Sequence, residues 1–202
     1  MSQQRTRQYH RHSPRDNQRE NIRIAQSNVG KISPAHTAFL QLCWAEKIDI
    51  ILIQEPWVSL DGKDLLNTHT GYDVYVPVDD WSKADDRPRV ITYIKKNEGL
   101  KVVQKRPWHT RDILWIDVNG TTVINVYRPP HDAYSEATKL LLDLVPPVNC
   151  VIGGDFNAQH SLWEPETVQP RNQGNNIAEW AATHRLAYIG HLTWSFRCQR
   201  RP

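Results

Sequence analysis

Cysteine is scarce in this chain: Cys43, Cys150 and Cys198 are the only three in 202 residues, far apart and without paired spacing. That argues against a disulfide framework and against Cys-rich zinc spacing. The three read as reduced thiols of an intracellular protein, with Cys43 and Cys150 in the core. Long apolar runs are missing too. The best candidates, residues 48–53 and 140–145, contain Asp49 and Asp143 and fall well short of a membrane span. The polar N-terminus does not read as a secretory signal. No Gly-rich loop stands before a helix to cradle phosphate, and no Ser-centred elbow is present, which removes two common classes of enzyme.

Charge of one sign is also absent from the body of the chain. Residues 1–21 hold five Arg against Asp16 and Glu20, so they alone supply the net charge of +3. Residues 22–196 hold 17 basic and 20 acidic side chains, and Arg197, Arg200 and Arg201 close the chain. The basic balance therefore describes the ends. The first 21 residues are rich in Gln, Arg and His without apolar periodicity, and they read as a disordered basic tail able to touch phosphates.

What remains is long enough for one domain with a sizeable core. Residues 21–28 alternate apolar and polar as a strand. Ser33-Pro34 is an N-cap followed by Pro at the first helical position, and Ala35, Phe39, Leu42 and Cys43 carry a helix to about Lys47. Residues 48–53 form an apolar strand ending at Gln54-Glu55-Pro56-Trp57. Strands are predicted over 72–76, 90–95 and 100–105. Asn119-Gly120 between residues 113–118 and 121–127 is a two-residue hairpin turn. Both hairpin faces carry large apolar side chains, Leu114, Ile116 and Val123 on one and Ile113, Trp115 and Ile124 on the other. A sheet covered on both faces follows, with a second sheet on one side and a helix on the other. Helices around residues 137–144 and 177–184 and strands at 150–152 and 186–189 complete the pattern. Residues 194–202 show none.

Four polar groups stand just past predicted strand ends: Asn28, Glu55, Tyr127 and the pair Asp155/Asn157. Singly, each reads as a solvated strand end or an Asn/Asp turn. Four from separate strands read as a site at one edge of a sheet. Glu55 and Asp155 could hold a hard divalent cation through oxygen, Mg²⁺ keeping most of its waters, and such an ion would stabilise charge on a phosphoryl group. His160, three residues past Asn157, is a loop residue or a substrate contact. Trp57 and Trp163 in the site loops either stack on a base or pack at the rim.

Asn28 at the end of the first strand, Gln54-Glu55-Pro56, Tyr127-Arg128-Pro129-Pro130 and Gly154-Asp155-Phe156-Asn157 together resemble the endonuclease/exonuclease/phosphatase superfamily. More narrowly, Gln54-Glu55-Pro56-Trp57 and the run Asn157 to Trp163 look like the apurinic-type endonuclease domain of non-LTR retrotransposons. The resemblance spans about residues 22–194. It implies a four-layer α/β/β/α sandwich and Mg²⁺-dependent cleavage of DNA in the nucleus, with Mn²⁺ able to substitute. Glu55 would bind the metal with support from Asn28. Asp155 would orient the attacking water beside Asn157, and Tyr127 would contact the scissile phosphate. Arg128, His160 and Thr193 would be substrate contacts. The family continues with a further Asp and a Ser-Asp-His that have no counterpart here, so the C-terminal strands are expected to be missing, residues 195–202 to be an aberrant tail, and activity to be weak or lost. The other readings are a phosphatase-like phosphoesterase and a non-catalytic nucleic-acid-binding remnant.

Overall fold

The computed structural model describes residues 22–59, 66–81, 86–97, 99–130 and 135–190, and the backbone of residues 195–198. The basic tail of residues 1–21 and Thr193 lie outside the described residues.

The chain builds β1 (Ile24–Asn28), α1 (Ser33–Ala45), β2 (Ile50–Gln54), β3 (Tyr72–Tyr75) and β4 (Val90–Lys95) into a first sheet of order β1-β2-β4-β3. β5 (Val102–Lys105), β6 (Ile113–Val118), β7 (Thr121–Tyr127), β8 (Cys150–Asp155), β9 (Leu186–Tyr188) and β10 (Ser195–Cys198) form the second, of order β5-β6-β7-β8-β10-β9. α2 (Glu136–Asp143) and α3 (Gly174–Thr183) join strands of the second sheet.

Side-chain alternation along the strands separates the layers. In β2, Ile51 and Ile53 turn outward to Leu40 and Cys43 of α1, while Ile50 and Leu52 turn inward. Inward they meet Leu114, Ile116 and Val123 of the β6–β7 hairpin. The hairpin's other face, with Ile113 and Ile124, lies under Leu141 of α2 and Ile177 and Trp180 of α3. The result is the expected helix, sheet, sheet, helix sandwich.

Three local details differ from the sequence reading. Ser33 is the first residue of α1, not its cap: Ile32 takes that place, and the Ser33 hydroxyl donates to Asn67 Oδ1 at 3.4 Å. β8 does not stop at its glycines but runs through Gly153 and Gly154 to Asp155, paired with β7 along its length. Ser195–Cys198 is a strand between β8 and β9, antiparallel to both. Four residues hold too few alternations for a period of two to be read.

One histidine is wholly interior. His36 of α1 is fully buried, and its Nε2 lies 2.9 Å from the Tyr93 hydroxyl of β4. That hydroxyl donates its single hydrogen to the carbonyl of Asn67, so Nε2 carries the imidazole proton and donates it to Tyr93. Nδ1 has no partner. A second proton would therefore place charge on a buried, unpartnered atom, and burial lowers the His36 pKa from 6.5 to about 4.

The unfolded imidazole takes up its proton below pH 6.5, whereas the folded one refuses it down to about pH 4. Between these values the unfolded state binds more protons, so stability falls as the pH falls, by about 1.4 kcal/mol per unit. Denaturant titrations at several pH values should show this slope in the wild-type chain relative to a His36→Gln variant. Equal slopes in the two would show that His36 titrates normally.

Candidate active site

The site begins below the surface, in the layer between the sheets. Gln54, the last residue of β2, and Asn125 of β7 are both buried among apolar side chains. Gln54 Nε2 donates to Asn125 Oδ1 at 2.7 Å. Asn125 Nδ2 in turn donates to the carbonyls of Ile53 and Ile91, at 3.2 and 3.0 Å. Beside them, Gln26 Nε2 of β1 donates to the Gly154 carbonyl of β8 at 3.3 Å. These bonds cross from one sheet to the other just beneath the strand tips, and so fix the tips against each other.

Each tip then delivers one functional side chain. Asn28 ends β1, Glu55 follows β2, Tyr127 ends β7 and Asp155 ends β8. Asn28 Nδ2 donates to Glu55 Oε1 at 3.0 Å and to Asp155 Oδ2 at 2.8 Å. Its Oδ1 accepts the Gly30 N–H at 2.9 Å. An N–H can bond only an acceptor and a carboxylate can bond only a donor, so these contacts fix the amide orientation. Asn28 thus presents hydrogens, not oxygen, to the carboxylates, and holds the pair in place. The Tyr127 hydroxyl donates to the same Glu55 Oε1 at 3.0 Å. Burial, reinforced by that bond and the Glu55 charge, raises the Tyr127 pKa, so the phenol remains a donor.

The backbone is bent hard to achieve this. Glu55 and Asn157 are non-glycine residues in the left-handed region, at φ 46 and φ 45. Glu55 is held there by its N–H to the Arg89 carbonyl at 3.0 Å and by its carbonyl, which accepts Lys31 N–H at 2.7 Å. The Asp155–Asn157 turn is held by Arg128. That side chain, which the motif suggested as a substrate contact, is fully buried. Its guanidinium donates to the carbonyls of Phe156 at 2.7 Å, Asn157 at 2.9 Å and Asn172, so it shapes the turn from below. Asn157 Nδ2 closes the arrangement on the Arg128 carbonyl at 2.8 Å, and Asp155 Oδ1 accepts Asn157 N–H at 3.0 Å.

The structure brings Asn28, Glu55, Tyr127, Asp155 and Asn157 together and leaves His160 to its own loop. His160 Nδ1 accepts Leu162 N–H at 3.0 Å, and its ring lies 5.0 Å from that of Trp163. Trp163 is buried, with its indole N–H on the Ala158 carbonyl at 3.0 Å, so it packs and does not present a stacking face.

Sequence reasoning missed a second rank. Arg89 grips the buried Asp112 through two bonds and lies 5.4 Å over the Tyr127 ring. The Asp112 carbonyl accepts Tyr127 N–H at 2.8 Å. Burial raises the Asp112 pKa and Arg89 opposes the shift. The signal that could have found this pair was an Arg directly before one core strand and an Asp directly before another.

Chemically, two carboxylates converging on one amide nitrogen make a small anionic site of hard oxygens. Among the described residues no group of three or more His, Cys, Asp or Glu stands ready to hold a metal. A pair of carboxylates is a donor set that a hard, oxygen-seeking divalent cation can take. It fits Mg²⁺, which keeps several waters and binds through one or two carboxylates and a substrate phosphate.

Residues 121–202 match a protein family described as endonuclease-reverse transcriptase. No curated protein matches the chain in sequence. Among solved structures, the fold is similar to the endonuclease domain of TRAS1, a telomere-specific non-LTR retrotransposon. The TM-score is 0.69 at 18% identity, over 89% of this chain and 86% of that one. It is also similar to a 3′ phosphatase from Neisseria solved with a product DNA hairpin, with a TM-score of 0.50 at 16% identity, over 79% and 71% of the two chains.

Gly154 is the tightest point under the site. It sits at φ 152, and a Cβ there would lie 1.9 Å from the Val126 carbonyl oxygen of the neighbouring strand. Neither backbone can yield without breaking the β7–β8 ladder. Gly154→Ala should cost about 3 kcal/mol or more in chemical unfolding, or prevent folding. A loss below about 0.5 kcal/mol would show that the strands are not packed this closely.

Proposed function

We propose that this chain belongs to the endonuclease/exonuclease/phosphatase superfamily, a reading supported by its fold and by the match over residues 121–202, and that it is a Mg²⁺-dependent DNA endonuclease domain. It hydrolyses a phosphodiester bond to nick target DNA for a retrotransposon, which puts its work in the nucleus. The observation that carries the reading is the convergence of Glu55 and Asp155 on Asn28 Nδ2.

Glu55 would hold the ion, with Asp155 beside it and Asn28 keeping the two carboxylates at a fixed separation. Bound there, Mg²⁺ supplies positive charge for a phosphoryl oxygen and the leaving oxygen. Asp155 is anchored through both oxygens, which leaves its remaining lone pairs to orient a water. Asn157 spends its Nδ2 on the Arg128 carbonyl, so its Oδ1 is the atom left to accept from that water. Tyr127, kept protonated by burial, carries a donor that can move from Glu55 to a phosphate oxygen.

Among the described residues, no histidine is hydrogen-bonded to this cluster.

The test is conversion of supercoiled plasmid to open circles at excess protein. The wild-type chain should nick only with Mg²⁺ or Mn²⁺. Asp155→Ala and Glu55→Gln should each lower the rate by about 100-fold or more. Nicking unchanged in both variants, or absent in the wild-type chain, would overturn the reading.

A further inference from the structure

The side chain of Lys31 stands beside the site without a part in the roles above. Its Nζ lies 3.8 Å from Glu55 Oε2, the oxygen that neither Asn28 nor Tyr127 bonds. The side chain is 67% exposed, so it reaches Glu55 from the solvent side. An exposed ion pair has little value for stability and does not by itself explain this placement.

The backbone supplies a second observation. Gly30 and Lys31 are both left-handed, at φ 58 and φ 60. Glycine tolerates this, but a lysine is strained there, and such strain gathers at functional positions. The strain is held by bonds to the site itself: Gly30 N–H donates to Asn28 Oδ1 and Lys31 N–H to the Glu55 carbonyl. The turn carrying the ammonium is thus tied at one residue to Asn28 and at the next to Glu55.

We propose that Lys31 is the resident cation of Glu55 in the metal-free site and a phosphate ligand in the loaded one. The inference rests on the reading of Glu55 as a metal-binding carboxylate. Glu55 and Asp155 face each other with one shared amide between them, and the ammonium offsets part of that repulsion. In the loaded site the carboxylate no longer needs this neighbour. The ammonium, on its flexible stem at the solvent side, is then placed to meet a phosphate oxygen of the DNA backbone. One lysine therefore opposes metal binding and favours DNA binding.

Opposite signs make the proposal testable. Three variants serve: Lys31→Met removes the charge, Lys31→Gly removes it and also relieves the positive φ, and Lys31→Arg retains it. Mg²⁺ affinity would be measured by calorimetry without DNA. Affinity for a short DNA duplex would be measured over a range of salt, with Ca²⁺ in place of Mg²⁺ so that the strand stays intact.

Met and Gly should tighten Mg²⁺ by about three- to tenfold, since a like charge has been removed. Both should weaken the duplex and reduce its salt slope by about one. Arg should leave both near wild-type. A merely structural turn would leave the duplex affinity and its salt slope unchanged in Met, and that pattern overturns the proposal. Unchanged Mg²⁺ affinity in Met and Gly overturns it as well and leaves the metal reading intact. Absence of any Mg²⁺ binding by the wild-type chain overturns the metal reading and the proposal together.

Discussion

The site depends on a pair of buried amides. Two sheets pressed together by Ile, Leu and Val can slide, because apolar contact is non-directional. Gln54 and Asn125 remove that freedom. Each is buried in the inter-sheet layer, where an unmade hydrogen bond would cost about 1–3 kcal/mol, and they satisfy each other only in one register. In that register the next residue after Gln54 is Glu55, and two residues beyond Asn125 is Tyr127. The hydroxyl of one then reaches the carboxylate of the other at 3.0 Å. Gln26, reaching the Gly154 carbonyl, does the same for Asn28 and Asp155. A directional bond in an apolar layer thereby sets the geometry of a polar site a few ångströms above it.

The second constraint is local strain offset by backbone bonds. Glu55, Asn157 and Lys31 each hold a left-handed conformation that a side chain disfavours. Each is held by neighbours: the Arg89 carbonyl for Glu55, the Glu55 carbonyl for Lys31, and the buried Arg128 fork for the Asp155–Asn157 turn. A guanidinium suits this last task because its planar donors can serve several carbonyls at once. The functional atoms are therefore pre-set, with few rotamers left to be lost when a phosphate arrives.

Much of this was legible in the chain itself. The Asn119-Gly120 turn and the two-sided apolar hairpin forecast a doubly covered sheet, and the strand-tip groups Asn28, Glu55, Tyr127 and Asp155 do meet. Their meeting was readable because strand ends in a layered α/β fold share one edge. Less legible was anything set by contacts between distant strands. Nothing local marks Gln54 and Asn125 as partners 71 residues apart, or Arg89 as the cation over Tyr127. Arg128 is ambiguous in sequence, since an Arg beside a site motif reads equally well as a phosphate contact or a buried clamp. Only its burial decides. The four-residue β10 gave no periodic signal at all, and its place depends on pairing with β8 and β9.

The claim at the centre is that Glu55 and Asp155 form a seat for one hard divalent ion at the meeting point of the two sheets. A crystal of the chain soaked in Mn²⁺ would test it most directly through the anomalous difference map. The account predicts one strong peak within coordination distance of a Glu55 oxygen, with Asp155 beside it and Asn28 still turned with its nitrogen to the carboxylates. A map with no peak at this rim, or with Mn²⁺ held elsewhere while Glu55 remains bonded to Tyr127 and Lys31, would contradict it.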